Sequence, residues 1–159
     1  MAIYMKYASI DGAATTKGFD KWIVVDSFQY GVNRNINTPT RSSLNREASE
    51  VSISEIVITK QVDKASPKLW QEAVSGHIDS KVELKFTTQV KNEVVTYSDF
   101  VLEHCGISSY STSAGADDRP TESLSINFTK IVWSYTPTDD KGSGTPEKVG
   151  WDLGLQKTV

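Results

Sequence analysis

Apolar residues alternate with polar ones along most of this chain, the period-two pattern of strands that bury one face and wet the other. The first such run, "AIYMKYASI", ends at the Asp11-Gly12 turn signal. In "KWIVVDSFQYGV", Ile23, Val25 and Ser27 share one face and Trp22, Val24, Asp26, Phe28 and Tyr30 the other, so this strand is expected to be covered on both sides. The apolar phase changes within "EVSISEIVIT": Val51 and Ile53 take one face, Ile56 and Ile58 the other, as where a strand passes from one sheet to the next. "KVELKF" sets Val82, Leu84 and Phe86 on one side and predicts a hairpin with "EVVTYSDFVLEHC" through a turn at Lys91-Asn92. The last long alternation, "ESLSINFTKIVWSY", reads as one strand with Leu124, Ile126, Phe128 and Val132 inward. Its outer face, Ser123, Ser125, Asn127 and Thr129, is polar and uncharged. "KVGWDLGL" closes the chain as a short strand.

One segment breaks the period. In "ASPKLWQEAVSG", Ser66 is placed to cap a helix and Pro67 to occupy its first position, where a missing N–H costs nothing. Leu69, Trp70, Ala73 and Val74 follow at helical spacing as an apolar stripe, and Gly76 suits the left-handed residue after the end. So short a helix does not stand alone in water, so its stripe must dock. The fold expected is therefore mainly β: a barrel of two wrapped antiparallel sheets with one short helix at its side or mouth. Two long polar stretches, residues 33–49 and 136–148, are expected to carry no regular structure and to be where partners bind.

At 159 residues the chain fits a single domain spanning 1–159. With 17 Lys plus Arg against 20 Asp plus Glu, the net charge of -3 gives no field to draw nucleic acid or an anionic membrane. Cys105 is the only cysteine, which excludes an internal disulfide framework and fits a reducing compartment. Lys6 interrupts the N-terminal apolar run, so no signal peptide is expected, and the longest apolar run, Trp22 to Val25, is far short of a bilayer span.

Candidate chemistry is thin. His104 and Cys105 are neighbours on a predicted strand and point to opposite faces, which disfavours a Cys-His nucleophile unless a bulge intervenes. His77 lies near Asp79, but one imidazole and one carboxylate fall short of a zinc set. Asp117 and Asp118 sit in a turn without EF-hand spacing, and no glycine-rich segment joins a strand to a helix as a phosphate loop must. No catalytic residue, metal or cofactor is expected. Arg34, Arg41 and Arg46 form a modest basic cluster in the first polar stretch, without the aromatics a nucleic-acid reader stacks on bases.

Three stretches together resemble one family: "VSISEIVITKQVDKASPKLWQEAVSG", "DDRPTESLSINFTKIVWSYTP" and "GWDL". The pattern T-K-x-x-D-x-[AS]-[ST]-P-x-L, carried here by Thr59, Lys60, Asp63, Pro67 and Leu69, is similar to that of the haemolysin-coregulated protein family, Hcp, the tube protein of bacterial type VI secretion systems. "FQYG", with Gln29 and Tyr30, departs from the family's "WSWG" or "FAWG". The resemblance implies a non-enzymatic, hexameric ring whose copies stack into a tube. That tube would work with sheath and spike proteins, carry effectors in its channel, and leave the cytoplasm for the extracellular space or a target cell. It implies that Gln29, and by extension Ser123, Ser125, Asn127 and Thr129, face the channel, and that Arg34, Arg41 and Arg46 belong to a loop reaching the next ring. The rival reading is a stand-alone carbohydrate- or protein-binding barrel, with Trp22 or Trp151 stacking on a sugar ring.

Overall fold

The computed structural model describes residues 1–37, 47–139 and 142–159. In chain order the strands are β1 (Ala2–Tyr7), β2 (Ile23–Val25), β3 (Ser27–Gln29), β4 (Val32–Asn33), β5 (Ile36–Asn37), β6 (Glu47–Ala48), β7 (Ser52–Ile53) and β8 (Ile56–Gln61). The helix α1 (Ser66–Ser75) comes next. It is followed by β9 (Ser80–Val90), β10 (Glu93–Ser113), β11 (Thr121–Asn127), β12 (Lys130–Tyr135), β13 (Thr138–Asp139), β14 (Gly142–Ser143), β15 (Glu147–Asp152) and β16 (Lys157–Thr158).

Every ladder is antiparallel. One sheet runs β2-β1-β9-β10-β12-β15-β16, and a second runs β10-β11-β8-β3. They share β10, whose first part pairs with β9 and β12 and whose last part, Gly106 to Ser113, pairs with β11. The strand crosses between sheets at a bulge after Leu102, where His104 takes a positive φ of 54°. The other crossing is at Asp26, between β2 in the first sheet and β3 in the second. The two sheets thus wrap around one core built from Met5, Tyr7, Ile23, Ile58, Leu84, Leu102, Leu124 and their neighbours. The expected barrel is present, and the expected hairpin closes at Lys91 and Asn92, both with positive φ.

Several expectations require correction. The segment from Trp22 to Tyr30 is not covered on both sides. Ile23 and Val25 point inward and Val24 and Asp26 outward, and after the crossing Phe28 turns in while Ser27 and Gln29 turn out. "ESLSINFTKIVWSY" is not one strand but two, β11 in the second sheet and β12 in the first, with Phe128 and Thr129 between them. That break shifts the phase, so Ile131 rather than Val132 enters the core. The two polar stretches carry short ladders of their own, β4 with β7, β5 with β6, and β13 with β14.

The helix starts differently from expectation. Ser66 is its first residue rather than its cap, Pro67 its second, and Ala65 at the cap position makes no side-chain cap bond. Asp63 does the capping one turn earlier: its Oδ1 accepts from the Ala65 N–H at 2.9 Å, while Ser66 Oγ accepts from the Asp63 N–H at 3.0 Å. This reciprocal pair satisfies donors that a helix start leaves orphaned. Ser66 Oγ also donates to Glu122 Oε1 on β11, and Lys60 Nζ on β8 reaches Glu122 at 2.5 Å and Asp63 at 3.0 Å. A buried charge is tolerable when paired and hydrogen-bonded: Lys60 meets both conditions, Glu122 meets them through Oε1 while its Oε2 has no partner among the described residues, and the cluster ties the helix to two strands. Gly76 closes the helix at φ 70°, the left-handed position foreseen for it.

The apolar stripe of α1 divides. Leu69 is fully buried and Ala73 packs on the core, but Trp70 and Val74 face solvent, 53% and 65% exposed.

Candidate functional site

The outer face of the second sheet is the most unusual surface of the molecule. Alternation turns Glu122, Leu124 and Ile126 of β11 inward and leaves Thr121, Ser123, Ser125 and Asn127 outward. Cross-strand register then assembles rows. Ser27, Thr59, Ser123 and Ser111 stand side by side across four strands, and Gln29, Val57, Ser125 and Ser109 form the next row. Gln61, Thr121 and Ser113 flank them on one side, Asn127 and Gly106 on the other. In a chain that is 23% charged, not one of these positions carries a charge, and a carboxylate enters only at the Asn127 end, where Glu55, just before β8, accepts from Ser108 Oγ. The hydroxyls bond among themselves, as Ser27 Oγ does with Thr59 Oγ1 at 2.5 Å.

Of the residues singled out by sequence, this face brings together Gln29, Ser123, Ser125 and Asn127. Thr129 does not join them: it lies in the β11–β12 link, where its N–H donates to the Glu103 carbonyl and its own carbonyl accepts from Leu153 N–H. β3 pairs only with β8, and residues 106–113 of β10 pair only with β11, so the sheet has two edges with no partner strand among the described residues.

The described ends of the first polar stretch pair with each other in short ladders of their own, outside the two sheets, as the base of an arm. Ser54 and Gly31 bond at its base, Gly31 N–H to Ser54 Oγ at 2.7 Å and Ser54 N–H to the Gly31 carbonyl at 2.8 Å, and Ser49 holds Asn35 further out. Arg34 is exposed on this arm, while Arg41 and Arg46 lie outside the described residues.

The reactive side chains are placed apart. The bulge that could have joined His104 to Cys105 instead keeps Cys105 fully buried and His104 exposed. Burial pushes the Cys105 thiol up to about 12, so it stays protonated. Asp79 pairs with His104 at 2.7 Å and not with His77, whose Nδ1 lies 3.1 Å from both Glu72 and Ser80. Asp118 accepts from Arg119 N–H within an exposed turn. Among the described residues no group of three His, Cys, Asp or Glu side chains is placed to hold a metal ion. Lys6 and Lys85 sit over the Trp22 ring at 6.0 and 5.5 Å, and Trp151 packs in part against the core.

Residues 4–135 match the family model described as type VI secretion system effector, Hcp. The chain belongs to the Hcp family. A curated Hcp relative, protein hcp1 of Pseudomonas aeruginosa, is 30% identical over 107 residues, a match spanning 65% of this chain and 66% of that relative's length. A solved structure of a type six secretion system protein superposes with a TM-score of 0.91 at 28% identity over 99% of each chain. Hcp1 from Salmonella typhimurium shares the fold, with a TM-score of 0.77 at 19% identity over 100% of both chains. The rival reading, a stand-alone carbohydrate- or protein-binding barrel, has no support from these Hcp matches. Sequence reading missed the buried Lys60–Glu122 pair, although both residues lie in phase with core positions of their strands, Lys60 after Ile56 and Ile58, Glu122 before Leu124 and Ile126.

Proposed function

We propose that this chain is a building block of the inner tube of a bacterial type VI secretion system. Its copies close into a hexameric ring with the uncharged face of the second sheet toward the channel, and rings stack into a tube. The observation that carries the reading is this face bounded by two unpaired strand edges. Unpaired edges template strand addition, and joining the edge at β3 to the edge at β10 of the next copy satisfies both. Such a contact is heterologous, so it closes into a ring once the rotation per copy divides a full turn. A hydroxyl-rich wall stays wet and offers cargo little charge to hold it, Glu55 at its rim excepted, which suits passage of effectors. Gln29, Ser123, Ser125 and Asn127 are then channel residues.

The arm carrying Arg34 extends toward the neighbouring ring, with Arg41 and Arg46 as further contacts there. Sheath and spike proteins are the outer partners, and the protein is held in the cytoplasm until the tube is propelled into the extracellular space or a target cell. Light scattering of the purified protein tests the first step: a mass of about six chains, with burial per neighbour near the standard roughly 1,600 Å², is expected. A monomer at high concentration refutes it. Charge reversal at Arg41 or Arg46 is expected to leave rings intact and weaken their stacking, seen as shorter tubes in electron micrographs.

A further inference from the structure

The core-side face of the first sheet runs out into solvent. One row of cross-strand neighbours starts with Ile23, Met5 and Leu84, all 0% exposed, and continues through Phe100 at 5% to Trp133 at 40% and Val149 at 58%. β12 and β15 extend past the reach of the second sheet, so their inner surface has no lid among the described residues. With Tyr30, Val32, Ile53 and Trp151 it lines an apolar cavity of about 180 Å³, room for one large side chain.

The same chain carries the opposite shape elsewhere. Trp70 and Val74, one turn apart on α1, form a solvent-facing apolar ridge. Of the twelve exposed large apolar side chains among the described residues, Trp70, Val74 and the nearby Ile78 belong to this end, and Val32, Trp133 and Val149 to the cavity. Half of the twelve thus fall in two places, a ridge and a hollow, and contiguous apolar exposure marks a contact surface. The chain cannot satisfy itself, because β8 links the cavity, beside Ile53, to the start of the helix beyond Lys60, a separation of roughly 20 Å along the strand.

We propose that the Trp70–Val74 ridge of one copy seats in the Tyr30–Trp133–Val149 cavity of the next copy around the ring. The inference rests on the ring reading and names the side-chain contact that would hold it closed. Two further observations favour a second copy of this chain as the occupant. The cavity begins at Tyr30, the residue after edge strand β3, while α1 packs on β10, the strand that forms the other edge. In the ring reading the joined edges belong to β3, next to the cavity, and β10, on which the helix packs. The rims are also of opposite sign: Glu147 lies two residues from Val149 on the same face of β15, and exposed Lys64 and Lys68 stand at the Trp70 end of the helix, whose Glu72 is engaged by His77.

The test uses full-length chain and three readouts. Val74→Glu and Val149→Glu, both at exposed positions, should each keep the wild-type circular dichroism while weakening association at least about tenfold, read as ring giving way to monomer on dilution. A V74C/V149C chain, oxidised after assembly, should give a ladder of covalent oligomers ending at the ring mass, whereas either single cysteine variant gives none. Wild-type rings with both glutamate variants assembling normally overturn this contact and leave the ring reading standing. A dimer from V74C alone also overturns it, since ridge would then meet ridge. A wild-type protein that stays monomeric overturns the ring reading and this contact together.

Discussion

Lys60 and Glu122 face each other across β8 and β11 with both side chains fully buried and the ammonium nitrogen 2.5 Å from the carboxylate. The same nitrogen reaches Asp63 and the Gln61 carbonyl, and the same carboxylate accepts from Ser66, so strand, strand and helix start meet at one point. This explains why the Lys60, Asp63 and Pro67 spacing is a fixed unit: Lys60 neutralises, Asp63 caps, and Pro67 follows as a residue with no N–H to satisfy.

Truncating the two members has unequal costs. Lys60→Ala should cost about 3–5 kcal/mol of unfolding free energy in urea, because Glu122 then stays buried without a cation, whereas Glu122→Ala should cost less, because Lys60 keeps Asp63 at 3.0 Å. The double variant K60M/E122L should recover most of that loss, since both desolvation costs vanish with the charges and Asp63 keeps its bond to the Ala65 N–H. A double variant as unstable as the singles would show that the pair contributes more than mutual compensation.

Much of the fold was legible because period-two alternation reports which face is buried. The hairpin at Lys91 and Asn92, the phase change between Ile53 and Ile56 and the left-handed Gly76 all follow from local chemistry. What alternation does not report is where a strand leaves one sheet for another. The break at Phe128 and Thr129 and the crossing at Asp26 leave the apolar spacing almost intact, so two strands read as one and Val132 was assigned the place of Ile131. The uncharged face was visible on β11 alone. Its extension through Ser27, Thr59, Ser109 and Ser111 required the register of four strands. Trp70 and Val74 misled for a physical reason: helical spacing identifies an apolar stripe but not whether its own chain or another covers it.

Two glycines separate backbone collision from backbone strain. A Cβ at position 12 would lie 2.3 Å from the Trp22 carbonyl oxygen, against backbone that cannot give way, whereas one at position 76 meets nothing and only suffers φ 70°. Gly76→Ala should therefore cost about 1–2 kcal/mol. Gly12→Ala should cost clearly more, with loss of the packing of the segment that carries Phe19 over Tyr4. Thermal melts of the two variants would rank them, and equal losses would contradict the close approach.

High pH should destabilise the fold through two buried groups, Cys105 and Tyr7. Burial raises the Cys105 thiol from 9.0 and the Tyr7 phenol from 10.0, each to about 12. Between about pH 9 and 12 the unfolded chain therefore loses protons that the folded chain retains. By linkage, stability falls with rising pH across that window and is unaffected by these groups below it. C105A should flatten the early part of the decline in a pH series of urea melts, and in the wild type a thiol reagent at pH 8 should label Cys105 only after unfolding.

Gln29 and Ser109 occupy the same row of the uncharged face at its two unpaired edges, Gln29 on β3 and Ser109 on β10. If copies join edge to edge, the Gln29 of one approaches the Ser109 of the next, and charges placed there interact across the joint. Q29E/S109E should then weaken rings at low ionic strength and regain them as salt shortens the screening length toward about 8 Å at physiological strength and below. Q29E/S109K, carrying charges of opposite sign at the same positions, should assemble at low salt at least as well as wild type. Both residues are exposed, so neither pair should shift the monomer's stability by more than about 0.5 kcal/mol. Mass measured by light scattering across a salt series separates the cases: identical curves for the two variants would place these edges away from each other in the assembly and leave the channel assignment of Gln29 without its geometric support.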